Sequence, residues 1–210
     1  MSRPLLLFGA GGLAREVLAT VRQVDEWKPV GAVDDDPELH GADLDGVPVL
    51  GGADLVDEYP DAAIALCVAS PQHPDNRMRI VERLALPEER WATIVHPAAS
   101  VPDGAALGPG TVLLAGVVIT TPLRLGGFVV AMPHVLITHD DEVADGATFA
   151  GHVSLGGGVR VGESAYLGQG ALVREGVSIG PRAVVGMGSV VLKDVPAGET
   201  WVGVPARKLG

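Results

Sequence analysis

The chain follows two periodicities. From Val101 onward, every sixth position is apolar: Val101, Leu107, Leu113, Ile119, Leu125, Ala131, Ile137, Val143, Phe149, Leu155, Val161, Leu167, Val173, Ile179, Val185 and Val191. All but Ala131 and Phe149 are Val, Leu or Ile, too long a register to be accidental. Four residues after each anchor stands mostly a small or β-branched residue, as at Ala105, Thr111, Val117, Ala147, Ala165, Ala171 and Ala183. A six-residue period with one inward anchor predicts a short strand and a corner per repeat, so three repeats close one triangular coil. Anchors 18 positions apart then stack, coil upon coil, at a spacing of roughly 4.8 Å, and five coils make a prism about 25 Å tall. Gly follows many anchors (Gly108, Gly126, Gly156, Gly162, Gly168, Gly180, Gly186), as expected where tight corners need unhindered backbone. Pro196 is expected to end the pattern, leaving Gly203–Lys208 as a short tail.

Residues 1–88 obey a different rule. The apolar run Leu5–Phe8 leads into Gly9-Ala10-Gly11-Gly12 and then into a helical pattern with Leu13, Val17, Leu18 and Val21 on one face. Val30–Val33, ending in Asp34-Asp35-Asp36-Pro37, reads as a second strand, and Val47–Leu50 and Ile64–Ala69 as further strands. Asn76–Leu84 reads as a helix. Strand, Gly-rich turn, helix and strand make a βαβ unit of nucleotide-binding type. The expected organisation is therefore an α/β Rossmann-like domain over 1–88, followed by a parallel β-helix of hexapeptide repeats over 89–210. The Gly-rich turn opens no dinucleotide enzyme, because some 88 residues cannot complete two mononucleotide-binding halves.

Composition narrows the function. Aromatics are 4% and Gly 29 of 210, which fits a repetitive core of small side chains better than an aromatic-rich one. A net charge of −11 argues against a nucleic-acid partner, which needs a basic footprint. The single cysteine, Cys67, leaves no internal disulfide and no cysteine-based zinc site, and in its apolar run it reads as a buried small hydrophobe. The N-terminus lacks the pattern of a signal peptide, and no apolar run nears the ~20 residues of a membrane span. The expectation is a cytoplasmic protein with no membrane partner, and a prism with flat faces favours a homotrimer around a three-fold axis.

The hexapeptide run with its C-terminal tail resembles the left-handed β-helix acyltransferases. The whole chain looks most like the bacterial sugar acyltransferases of the sialic acid O-acetyltransferase type, a group that includes N-acetyltransferases of UDP-linked 4-amino sugars. The resemblance implies acetyl-CoA as co-substrate and a sugar acceptor, nucleotide-linked or free. It implies that His139 and Asp140, in Ile137-Thr138-His139-Asp140, are the catalytic pair. An imidazole titrates near working pH and can take the acceptor's proton during direct attack on the thioester; a carboxylate beside it fixes the tautomer. Acetyl-CoA contacts carry over to Thr148, Gln169 and Met187, although the family often has a second His where Thr148 stands. The sugar nucleotide is implied at Gly11, Gly12 and Leu13, at Asp34 and Asp35, and after the third strand at Ser70 and the Asn76-Arg77 pair. Backbone N–H groups at a helix start favour phosphate. Many relatives carry His or Phe in place of Leu13, and the Pro-rich loop 71–75 looks longer than usual, both pointing to a different acceptor. Arg207 and Lys208 are candidates for the CoA phosphates.

Two other classes are open from the residues. His134 and His152 lie one coil apart and His139 around the next corner, which invites the zinc hydratase of the γ-carbonic anhydrases, with three His shared across a subunit interface. The N-terminal half would have no role in such an enzyme, so no metal is expected. A non-catalytic β-helix scaffold would need neither base nor CoA site.

Overall fold

A computed structural model describes residues 2–210. The N-terminal half is built on β1 (Arg3–Phe8), which pairs in parallel with β2 (Trp27–Val33) on one side. The short strands β3 (Asp43–Leu44) and β4 (Val47–Gly51) extend the sheet beyond β2, and β5 (Ala63–Leu66) flanks β1 on its other side. Leu5, Leu6, Leu7 and Phe8 are all buried, as a central strand covered on both faces requires. Helix α1 (Gly12–Val21) turns Ala14, Val17, Leu18 and Val21 to the sheet. Helix α2 (Asn76–Leu84) spans the expected residues.

Two details depart from the sequence pattern. The strand expected over Ile64–Ala69 ends at Leu66, where its partner β1 ends at Phe8; the last bond between them runs from the Cys67 N–H to the Phe8 carbonyl at 2.7 Å. The β3–β4 hairpin was not expected. Its turn is Asp45-Gly46, with φ of 50° and 87°, the pair of left-handed residues that matches hairpin twist.

The C-terminal half is the left-handed parallel β-helix. Its first face stacks Ala106–Leu107, Arg124–Leu125, Glu142–Val143, Arg160–Val161 and Ser178–Ile179. The second stacks Ile94–Val95, Val112–Leu113, Val130–Ala131, Thr148–Phe149, Tyr166–Leu167 and Val184–Val185. The third stacks Val118–Ile119, Leu136–Ile137, Ser154–Leu155, Leu172–Val173 and Val190–Val191. The anchors from Leu113 to Val191 form one buried cluster, with Val101 and Leu107 packed against its end. The coil starts one repeat before the register counted from Val101, since Ile94–Val95 already pairs with Val112–Leu113. It also ends later: Thr200–Val202 adds to the second face, and Arg207–Lys208 folds back on it antiparallel.

The corner glycines have two separate causes. Those that follow the anchors sit under the next coil: a Cβ on Gly108 would stand 2.4 Å from the Gly127 nitrogen, and one on Gly168 2.6 Å from that of Met187. The left-handed position falls two residues later, at Gly110 or Gly116 for example, and His134, Asp140 and His152 occupy it as non-glycine residues.

The N-terminal half lies on the second face. Val112, Leu114 and Val130 share a buried cluster with Leu5, Leu7 and Leu18, and Trp91 meets Phe128 edge to face at 5.1 Å between centroids. Arg77 bolts the two parts together. Its side chain is buried and donates to Val68 O, Gly146 O at 2.8 Å and Thr148 Oγ1. Burial without a carboxylate partner lowers its pKa to about 10.

Candidate active site

The corner between the third and first faces carries the expected pair. His139 Nδ1 lies 2.8 Å from Asp140 Oδ2, and both side chains are exposed, at 66% and 84%. In the tautomer whose Nδ1–H donates to the Asp140 carboxylate, Nε2 keeps its lone pair, as a proton acceptor needs. Asp140 takes the left-handed corner position with φ 61°, which Asp tolerates better than most residues. The imidazole lies over Gly157 of the next coil.

Asp141 follows at an inward position and is only 4% exposed. Burial raises its carboxyl pKa, opposed by hydrogen bonds from the N–H groups of Thr138 at 2.7 Å and Val159 at 2.8 Å and by the charge of His139. The signal for it was present in the sequence, as an Asp in a column that otherwise reads Ala105, Leu123, Val159, Val177 and Val195.

In the N-terminal half, Gly11 is the N-cap of α1 and Gly12 its first residue; both are exposed, and Leu13 is half-buried. The first turn of α1 holds no acidic residue, so its free N–H groups remain open to an anion. A Cβ on Gly11 or Gly12 would meet nothing within 4 Å, so packing does not require glycine at either position. At Gly9 it does: φ is 101° and a Cβ would stand 2.9 Å from the Cys67 carbonyl oxygen. Asp34 holds the turn in place, accepting from Ala10 N–H at 2.7 Å and Asp36 N–H at 2.9 Å, so both its oxygens are engaged. Asp35 pairs with Arg83 at 2.7 Å on the surface. Ser70, half-buried, donates to Gln72 Oε1 at 3.0 Å within its own loop.

The three positions expected to meet CoA do not lie together. Gln169 and Met187 stack at the corner between the second and third faces, Gln169 exposed and Met187 81% so. Thr148 is on the second face, 3% exposed, with its hydroxyl accepting from Arg77. Arg77 itself is interior and presents no surface to a substrate. Lys208 pairs with Glu199 at 2.7 Å, whereas the Arg207 guanidinium donates to the Ala206 carbonyl at 2.8 Å and makes no ion pair among the described residues.

His139 and the Gly-rich turn also sit apart. The N-terminal half covers the second face, while His139 stands at the vertex opposite that face. His134 and His152 stack at a third place, the Gln169–Met187 corner, with ring centroids 4.9 Å apart and planes at 22°. Rings so nearly parallel do not converge their nitrogens on one ion. No group of three His, Cys, Asp or Glu side chains among the described residues could hold a metal.

Comparison with known proteins joins both halves to one set of relatives. Residues 4–84 match the PglD N-terminal domain, and residues 158–193 match the hexapeptide repeat of succinyl-transferase. The chain is 32% identical over 216 residues to GDP-perosamine N-acetyltransferase of Escherichia coli O157:H7, covering 97% of this chain and 95% of that protein. PerB from Caulobacter crescentus, solved in complex with CoA and GDP-perosamine, superimposes with a TM-score of 0.88 at 28% identity, over 99% of this chain and 97% of that one. The acetyltransferase domain of PglB from Neisseria gonorrhoeae FA1090, solved with acetyl coenzyme A, matches over 100% of both chains with a TM-score of 0.87 at 27% identity.

Proposed function

The chain belongs to the hexapeptide-repeat sugar acyltransferases, the family of GDP-perosamine N-acetyltransferase, and on that premise we propose that it transfers the acetyl group of acetyl-CoA to the amino group of a nucleotide-linked sugar. The observation that carries this reading is the His139–Asp140 pair at 2.8 Å on an exposed coil corner. His139 Nε2 takes a proton from the sugar amine as its nitrogen attacks the thioester carbonyl. The tetrahedral adduct collapses, the C–S bond breaks, and the imidazolium returns the proton to the departing CoA thiolate. Asp140 holds the ring in the Nδ1–H tautomer. The thioester is already activated, so no acyl-enzyme is needed.

The two substrates meet between copies of the chain. In this reading residues 1–88 hold the acceptor, with diphosphate on the N–H groups of Gly11, Gly12 and Leu13 and with Asp34, Asp35 and Ser70 around it. Residues 89–210 hold CoA along Gln169 and Met187. Since His139 stands at the vertex opposite the face that carries its own N-terminal half, it serves an acceptor held by a neighbour. The third face, between the His139 and Met187 corners, presents Leu136, Leu172 and Val190 outward, with Leu172 48% and Met187 81% exposed. That apolar strip supports a homotrimer. The described residues include no helix long and apolar enough to cross a membrane, and a cytoplasmic site, where acetyl-CoA and nucleotide sugars are made, completes the reading.

The test is release of CoA thiol from acetyl-CoA with GDP-, UDP- and dTDP-linked amino sugars as acceptors. Release that requires one of these acceptors and survives chelation supports the transferase. Release without any acceptor, or lost on chelation, contradicts it.

A further inference from the structure

Resting on the reading of His139 as the base, we propose that Asp141 is a positioning residue: its buried carboxylate takes the Thr138 N–H out of the regular ladder and holds the His139–Asp140 corner in its working geometry. The residue after each anchor ordinarily donates its N–H to the anchor carbonyl of the next coil, as Thr120 does to Ile137 at 3.1 Å and Gly156 to Val173 at 2.9 Å. Thr138 does not. Its N–H donates to Asp141 Oδ2 at 2.7 Å, and its hydroxyl reaches the Leu155 carbonyl at 3.4 Å in its place. The other carboxylate oxygen, Oδ1, accepts the N–H of Val159 at 2.8 Å.

One side chain thus ties both ends of the corner, residue 138 below and the next coil above. The ladder records the effect. Leu136 pairs with Ser154 without a second rung, and Leu125 with Val143 likewise, whereas neighbouring strand pairs such as Leu172–Val173 with Val190–Val191 carry two. These two single-rung pairs flank the corner that carries His139.

The packing of the coil does not ask for this group. Its column is otherwise Ala, Leu or Val, and a carboxylate removed from water is a cost that an apolar side chain would not incur. Two backbone N–H groups compensate it, and what they fix is the segment Thr138–Asp141. Asp140, 84% exposed, has little power by itself to hold an imidazole still in water.

Asp141→Val restores the residue type of the column, and the Thr138 N–H can return to the Leu155 carbonyl. The variant is therefore expected to fold, with melting temperature at or above that of the parent. It should keep KM for both substrates within about threefold and lose at least about tenfold in kcat, because misplacing a reacting group costs rate more than binding. The histidine NMR signals of labelled protein, assigned by comparison with His139→Ala, should move for His139 and stay for His40. Asp141→Asn keeps one acceptor and should fall between the two in kcat. An Asp141→Val enzyme that keeps parental kcat and an unmoved His139 signal overturns the proposal. So does loss of the folded coil in both variants, since the carboxylate would then hold the fold rather than the corner. The NMR readout stands without catalysis, so a failure of the base reading, seen as activity retained in His139→Ala, is distinguishable from a failure here.

Discussion

The imidazole of His139 rests on the Cα of Gly157: a methyl group there would stand 2.3 Å from Cε1 and 2.5 Å from Nε2. Gly157 is not in the left-handed region, so its backbone accepts alanine. Gly157→Ala should thus change stability by about 1 kcal/mol or less while tilting the ring off its seat. A shift of that order predicts a fall in kcat of roughly 10- to 100-fold. Steady-state kinetics beside a thermal melt separates the two effects; a parental kcat would mean that the ring seat is irrelevant.

Removing the proposed base should cost most. His139→Ala is expected to lose about 10²–10⁴-fold in kcat with little change in the circular dichroism spectrum. Asp140→Asn should lose less, because its carboxylate is exposed and in the proposed mechanism only orients the ring. A loss for Asp140→Asn equal to that for His139→Ala would give the carboxylate a larger part than orientation.

The open space above Gly12 predicts a separable binding defect. Gly12→Ala meets nothing within the chain and should fold as well as the parent, yet its methyl would stand where a phosphate must approach the helix N-terminus. KM for the nucleotide sugar should rise about tenfold while KM for acetyl-CoA holds. An unchanged acceptor KM would remove the Gly-rich turn from the substrate site.

Asp141 gives the fold a pH signature. Burial raises its carboxyl pKa, so the folded chain holds that proton more firmly than the unfolded one. Stability from this source is present at low pH and declines as pH rises through the folded pKa, above the ordinary aspartate value of about 4. Asp141→Val lacks the term. Its advantage in melting temperature over the parent should therefore be larger at neutral pH than near pH 4, and an advantage that shrinks as pH rises would contradict the assignment.

The six-residue register made the coil legible because each repeat reports one inward position, and no insertion interrupts the count from Val101 to Val191. The start at Ile94 lies one repeat before the first counted anchor, because Val95 sits where the register meets the N-terminal half. Pro196 likewise looks like an end, but a coil corner tolerates it, and Thr200–Val202 resumes the second face. At the site, the His139–Asp140 adjacency was readable as sequence. The role of Arg77 was not, because an arginine on an exposed-looking helix gives no sign that the β-helix carbonyls of Gly146 and Ala147 await it. The resemblance puts Thr148 near CoA, whereas in the fold that arginine covers it. Contacts across 70 residues of sequence leave no periodic trace.

The most direct test of the central claim mixes two inactive proteins. His139→Ala lacks the base but keeps the Gly-rich turn; Gly12→Glu keeps the base but sets a carboxylate against the acceptor's phosphates. Acceptor-dependent release of CoA thiol is measured for each variant alone and after the two are unfolded and refolded together. Subunits that share the site predict two silent parents and a mixture with measurable activity, since some neighbours then pair an intact His139 with an intact turn. A mixture as silent as its parts, in assemblies shown to contain both chains, would contradict transfer between subunits.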